Sequence, residues 1–168
     1  MIISGYQGIG KSTLAGKNNC IDLESSNLWV DGERPENWHE NWHKIYCQIA
    51  IHLSIQGYVV FVSSHEEVRK ELEKSNQPTF VVFPSLYLKD EWVRKLEKRY
   101  EESNLYKDYK AYKNAEEYYK ENIVGLMRGN LRFYEITKMD YNLKDIVEFL
   151  KTKSVGWGYN VTTSEDDK

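Results

Sequence analysis

The stretch with the clearest chemical meaning is "GYQGIGKS", which occupies residues 5–12. It matches G-x-x-x-x-G-K-[ST] at every fixed position. The glycines allow the backbone to curl so that successive amides point at phosphate oxygens. The lysine would reach the β- and γ-phosphates, and the serine hydroxyl would hold Mg²⁺. The spacing therefore predicts a site for ATP and Mg²⁺, with contacts from Gly5, Gly8, Ile9, Gly10, Lys11, Ser12 and Thr13.

A second pattern, "HENWH" at residues 39–43, matches H-E-x-x-H. On a helix it would place two imidazoles one turn apart for zinc, with Glu40 as a general base. However, residues 36–43 are an exact tandem repeat of "ENWH", which creates the pattern at its junction. No third ligand follows at a recognised spacing, although His65, Glu66 or Glu67 can be proposed. We favour a solvated start of a helix, with zinc as the alternative.

The elements around the loop alternate between short apolar runs and amphipathic helices. The predicted strands are residues 1–4, residues 20–23, "YVVFVSSH", "TFVVFP" and "RFYEIT". Five helices are predicted. The first has apolar positions at Trp42, Ile45, Tyr46, Ile49, Ala50 and Leu53, and the second is the charged segment "EEVRKELEKS". The apolar positions of the other three are Leu88, Trp92, Leu96 and Tyr100 in the third, Leu105, Tyr109, Tyr112, Tyr119 and Ile123 in the fourth, and Leu143, Ile146, Val147 and Leu150 in the fifth. The helix around Trp92 would leave Arg94, Lys95, Lys98 and Arg99 on its outer faces.

This alternation predicts an α/β fold with about five mostly parallel strands and helices on both faces. Ligands of such sheets bind at the carboxyl ends of the strands. Four polar segments should gather there: residues 5–12, residues 22–25, residues 63–65 and Pro84. The sequence thus predicts one cleft.

Composition bounds the partners and the organisation. The 168 residues carry 26 acidic and 23 basic side chains, a net charge of −3, so neither an extended nucleic-acid footprint nor a membrane surface is expected. The absence of a leader and of a long apolar run leads us to expect a cytoplasmic protein. Cys20 and Cys47 are expected as buried free thiols. We predict one domain over residues 1–153 and a mobile acidic tail over 154–168.

Five segments follow one another in an order that resembles that of the P-loop nucleoside and nucleotide kinases. They are the loop, "IDLESS", "VFVSSHEEVRKEL", "VVFPS" and the basic "EWVRKLEKRY". More narrowly, the chain looks like small kinase-like proteins of bacteriophages and Firmicutes, over residues 1–104. The resemblance implies a three-layer P-loop NTPase fold with a mobile lid in a helical insertion at about residues 88–128. It also implies transfer of the γ-phosphoryl group of ATP to a small acceptor, a nucleoside or nucleotide.

The resemblance also assigns roles to individual residues. Asp22 matches an acidic group near the acceptor or Mg²⁺, with a capping or turn aspartate as the alternative. Arg99, and less closely Arg94, match lid arginines that place charge on the transferred phosphoryl group, with a solvated basic face as the alternative. The implied acceptor contacts are Ser25, Ser64, His65 and Arg69, each with an ordinary loop, capping or surface role as its alternative.

One departure from the resemblance keeps another class of function open. Related kinases often carry an aspartate for Mg²⁺ after the third strand, where this chain has Ser63, Ser64 and His65. An ATP-binding protein or slow ATPase with a regulatory role is therefore the alternative to a kinase. A polynucleotide 5′-kinase is less favoured because of the net negative charge.

Overall fold

The structure is a computed structural model that describes residues 1–24 and 41–155. Its strands are β1 (Ile2–Gly5), β2 (Cys20–Asp22), β3 (Val59–Val62), β4 (Thr79–Pro84) and β5 (Arg132–Ile136). Its helices are α1 (Lys11–Leu14), α2 (Trp42–Ile55), α3 (Glu66–Leu72), α4 (Lys89–Ser103), α5 (Tyr106–Met127) and α6 (Leu143–Ser154), with a 3₁₀ turn at Leu86–Leu88.

The five strands form one sheet in the order β2-β3-β1-β4-β5, and every neighbouring pair is parallel. The predicted α/β sheet is thus confirmed. Every residue of β1, β3 and β4 is buried, which explains why these strands are apolar along their whole length rather than alternating.

Alternate residues of the central strands point to two helical layers. Ile2, Val60 and Val62 pack in a cluster with side chains of α2 and α3. Ile3 and Phe61 belong to the cluster that includes residues of α4, α5 and α6. Helices therefore cover both faces of the sheet, as the sequence predicts.

The topology opens a crevice beside β1. The chain leaves β1 toward β2 on one side of the sheet, whereas it leaves the neighbouring β4 toward β5 on the other side. Connections that diverge from adjacent strands create a ligand crevice at the carboxyl ends of those strands. The "GYQGIGKS" loop begins at the carboxyl end of β1 and therefore lies at this crevice.

The helix after the loop is short, as the glycine and paired asparagines that follow it predict. α1 has four residues, and Gly16, Asn18 and Asn19 then adopt positive φ values of 76°, 52° and 56°. This left-handed turn leads directly into β2. Glycine and asparagine accept that conformation more readily than other residues.

Two further expectations concern chemistry outside the site. Cys20 and Cys47 are buried free thiols, as predicted. Among the helices of residues 1–24 and 41–155, none combines the length and apolar character needed to cross a membrane.

Candidate nucleotide site

The loop after β1 has the geometry of a phosphate cradle. Gly8 and Gly10 adopt φ values of 84° and 99°, a left-handed conformation that favours glycine. The Ile9 side chain is buried and fixes the middle of the loop in the core. Within the described residues, the amides of Gly8, Gly10, Lys11 and Ser12 have no hydrogen-bond acceptor. Successive free amides in such a curl attract anions.

Lys11 lies across the start of this loop. Its Nζ donates a hydrogen bond of 3.0 Å to the Gly5 carbonyl, and its Cδ is 3.1 Å from the position that a Cβ on Gly5 would take. Burial lowers the pKa of the Lys11 ammonium, while the negative charges of Asp22 and Glu24 act in the opposite direction. The side chain is thus placed among the charged groups of the crevice.

Asp22 ends β2 and belongs to the same charged group. Burial raises the pKa of its carboxyl, an effect that the Lys11 charge opposes. The neighbouring Glu24 carboxylate lies 3.7 Å from Lys107 Nζ at the start of α5. The charges of Asp22 and Lys11 thus act on each other's pKa. Glu24 belongs to the predicted polar segment 22–25, whereas Lys107 is an addition that no sequence pattern indicated, because α5 is distant along the chain.

The two arginines of α4 differ in their placement. Arg99 pairs with the Asp108 carboxylate, which also accepts a 2.6 Å hydrogen bond from Ser103 Oγ. The positive charge of Arg99 also lowers the pKa of Lys11, so Arg99 acts on the same site. Arg94 is exposed and its Nε donates to the Asp90 carbonyl on its own helix. Arg99, rather than Arg94, is the arginine brought to the loop region.

Polar groups at the end of β3 connect neighbouring elements. The Ser63 amide donates to the Tyr46 hydroxyl at 2.9 Å, and that hydroxyl donates to the Leu23 carbonyl. The Ser63 carbonyl accepts from Ser4 Oγ at 3.1 Å, while Ser63 Oγ lies 2.9 Å from His65 Nδ1. This network ties β1, β2 and α2 to the third strand.

Arg69 is buried at the start of α3, with 7 % of its surface exposed. Its Nε donates to the Ser64 carbonyl at 3.3 Å and its Nη1 to the Gly125 carbonyl at 3.1 Å. The guanidinium thus joins α3 to α5, and Ser64 contributes its carbonyl to that link. These contacts give Arg69 a packing role that the sequence did not predict.

Several predicted residues lie outside the described part of the chain. Ser25, His39 and Glu40 are among them, as is the proposed acidic tail beyond residue 155. His43 is described, and its ring lies edge-on to Trp42 at 6.2 Å. Within residues 1–24 and 41–155, no three His, Cys, Asp or Glu side chains form a group that could hold a metal ion.

The helix α4 packs directly on the phosphate loop, a relationship that sequence analysis missed. Trp92 Nε1 donates to the Gln7 carbonyl at 3.0 Å, and the Tyr141 hydroxyl donates to the Gly8 carbonyl at 3.3 Å. A Cβ on Gly8 would lie 2.8 Å from Leu96 Cδ2. The expectation that Lys95 lies on an outer face is wrong, because Tyr141 and Trp92 partly enclose it.

No protein-family model matches this chain, and no curated protein shows significant similarity to it. The functional argument therefore depends on the geometry of the loop and of the charged groups around it.

Proposed function

We propose that the chain has a P-loop NTPase fold and transfers the γ-phosphoryl group of ATP to a small acceptor, a nucleoside or a nucleoside monophosphate. The observation that carries this proposal is the loop itself. A complete G-x-x-x-x-G-K-S sequence begins at the end of a central parallel strand, with positive φ at Gly8 and Gly10 and with loop amides that have no acceptor among the described residues. These features suit the binding of a triphosphate.

The residues present fit both ATP phosphates and Mg²⁺. The amides of Gly8, Gly10, Lys11 and Ser12 would supply the phosphate donors, and Lys11 would supply a cation at the entrance to the cradle. The exposed Ser12 hydroxyl is the group that would hold Mg²⁺. When bound, the metal ion neutralises charge that develops on the transferred phosphoryl group.

The acceptor would approach from the side of Asp22. In phosphoryl transfer, the acceptor oxygen forms a bond to the γ-phosphorus while the bond from that phosphorus to the β–γ bridging oxygen breaks, releasing ADP. Asp22, whose charge acts on Lys11, would orient an acceptor hydroxyl and accept its proton. Arg99 keeps 45 % of its side chain exposed despite its pairing with Asp108, so its guanidinium remains accessible to a ligand.

The decisive experiment is incubation of the purified protein with ATP, Mg²⁺ and a panel of nucleosides and nucleoside monophosphates. ADP release and phosphorylated product are both measured. Product that depends on one acceptor supports the kinase and identifies its substrate. Binding of ATP without product from any acceptor, at an ADP release rate equal to that of the buffer, would contradict phosphoryl transfer.

A second candidate function is an ATP-binding protein or slow ATPase with a regulatory role. The end of β3 favours it, because Ser63, Ser64 and Arg69 direct polar groups into links between elements rather than offering a carboxylate for Mg²⁺. In the same assay, ADP formed without an acceptor product would support this candidate. Activity on oligonucleotide 5′-ends that falls with salt would instead favour a polynucleotide kinase.

A further inference from the structure

Lys95 lies against two stacked aromatic rings beside the loop. Its Nζ lies 4.4 Å from the centre of the Trp92 ring and 4.8 Å from that of Tyr141. The two rings are nearly parallel, at 16° with centroids 5.8 Å apart. Both carry donors that end on loop carbonyls, so Lys95 lies at the support of the loop and not on the open surface.

Lys95 is linked to the loop through Tyr141 by two hydrogen bonds that run in one direction. An ammonium has donors and no acceptor, so the 2.8 Å contact between Lys95 Nζ and the Tyr141 oxygen must run from lysine to tyrosine. The single O–H of Tyr141 is then free to donate to the Gly8 carbonyl. Burial raises the pKa of the Tyr141 phenol, which keeps that proton in place. Hydrogen bonds in such a chain polarise and strengthen one another.

The carbonyls of Gln7 and Gly8, which accept these hydrogen bonds, must point away from a bound phosphate. A carbonyl oxygen carries partial negative charge, and each loop peptide that points its carbonyl outward points its amide to the other side. Trp92 holds the Gln7 carbonyl and Tyr141 holds the Gly8 carbonyl. The arrangement thus fixes the peptide that carries the free Gly8 amide, and it fixes the next peptide, whose Ile9 amide donates to the Tyr6 carbonyl at 3.4 Å.

Lys95 lacks a counter-charge within the described residues. No carboxylate pairs with it, and the nearest charged influence is Arg99, one turn further along α4. The phenol of Tyr141 is the titratable group in direct contact with it, and the loop peptides that face it are uncharged. Burial and the repulsion from Arg99 lower the pKa of Lys95 to about 8. An arriving polyanion would relieve that repulsion.

We propose that Lys95 is a positioning residue of the phosphate loop, which with Trp92 and Tyr141 holds the Gln7 and Gly8 carbonyls outward and gains its missing counter-charge when nucleotide phosphates bind. The inference rests on the proposed function, because it names the residue that tunes that same site. Binding of ATP should then be coupled to protonation of Lys95.

The test measures ATP binding by calorimetry for the wild type, Lys95→Met, Lys95→Arg and the control Lys98→Met. Lys98 lies exposed on the same helix. At pH 7, Lys95→Met should bind ATP about tenfold more weakly, whereas Lys95→Arg and Lys98→Met should stay close to wild type. At pH 8.5, calorimetry in buffers of different ionisation enthalpy should show proton uptake by the wild type. Lys95→Arg should take up less, because its guanidinium is already charged.

The outcomes separate this inference from the proposed function. Failure of the wild type to bind ATP would remove the proposed function itself. Wild-type binding that Lys95→Met leaves within twofold would overturn the positioning role alone. Burial also lowers the pKa of Lys11, which remains in every variant, so equal proton uptake by wild type and Lys95→Arg would equally overturn the coupling. If Lys95→Met does not fold, the pH comparison with Lys95→Arg decides.

Discussion

Arg99 of α4 and Asp108 of α5 form an ion pair in which the carboxylate is almost entirely buried and the guanidinium is half exposed. Burial raises the pKa of the Asp108 carboxyl, but hydrogen bonds from Arg99 and Ser103 outweigh it and hold the pKa below its ordinary value. The pair joins the two helices and orients the Arg99 guanidinium.

The first prediction concerns stability at low pH. Because the pKa of Asp108 is lowered in the folded state, its contribution is present above the ordinary aspartate pKa of 3.8 and is lost as the pH falls through the folded-state pKa. Asp108→Asn should lower the free energy of unfolding by about 1–3 kcal/mol at pH 7 and flatten its dependence on pH below 4. Urea unfolding at several pH values measures both effects, and parallel curves for the two proteins would contradict the assignment.

Replacement of Lys11 should lower the activity without unfolding the protein. Lys11→Ala should lower the turnover number by about a hundredfold or more, since it deletes a cation directed at the transferred charge. Its circular dichroism spectrum and unfolding midpoint should stay close to those of the wild type. Lys17→Ala, at an exposed position just beyond α1, is the matched control and should keep full activity. Full activity in Lys11→Ala would sink the kinase proposal.

The crowding of Gly8 makes a third prediction. Both Gly8 and Gly16 have positive φ, so alanine at either position should cost about 1–2 kcal/mol of backbone strain. Only at Gly8 would the new methyl group also press on Leu96, because nothing lies within 4 Å of a Cβ on Gly16. Gly8→Ala should therefore be the more destabilising and should weaken ATP binding, while Gly16→Ala should bind normally. Equal effects in unfolding and binding assays would show that α4 does not constrain the loop.

The Tyr46 hydroxyl should stabilise the ends of β2 and β3 through its hydrogen bonds to Leu23 and Ser63. Tyr46→Phe leaves the Ser63 amide and the Leu23 carbonyl without this partner, at a cost of about 1–3 kcal/mol in the free energy of unfolding. Tyr87→Phe removes the hydroxyl of an exposed tyrosine bonded to the Thr137 carbonyl, and should change stability by less than about 0.5 kcal/mol. Chemical denaturation compares the two, and a Tyr46→Phe effect as small as that of Tyr87→Phe would refute the bridging role.

The elements that sequence analysis predicted were those with a strong periodic signal. All five strands and the helices around Trp92 and Leu143 lie close to their predicted positions, because buried parallel strands and amphipathic helices carry distinct patterns. The glycine-rich loop after β1 was equally visible, since the pattern that predicts it consists of glycines at fixed spacing, and Gly8 and Gly10 have positive φ. These features are encoded locally.

The face of α5 was predicted incorrectly in its first half. Leu105 and Tyr109 were expected in the apolar stripe, yet they are 50 % and 38 % exposed, and Asp108 is buried instead. The non-helical φ of −121° at Tyr118 interrupts the helix, so one continuous period does not describe both halves. Before this kink the helix contacts α4, and the ring centroids of Tyr109 and Tyr100 are 5.2 Å apart. The ion pair between Asp108 and Arg99 sets the buried face there.

The contacts of Trp92, Lys95 and Tyr141 at the loop could not be predicted from the sequence for a different reason. Lys95 follows Trp92 by three residues, so periodicity places both on one face of α4, and only the charge of the lysine assigns it to the solvent. Its enclosure depends on Tyr141, which a distant connection supplies. Contacts between segments so far apart leave no local pattern.

The contact between Gly8 and Tyr141 spans 133 residues, and it implies an order of events during synthesis. The loop is translated well before its neighbouring strands β3 and β4 and before its supporting tyrosine. Loop closure over such separations makes folding slow. A nascent chain that stops short of Tyr141 would expose the loop sequence without its support, so tight ATP binding by ribosome-bound chains would report how far translation has advanced.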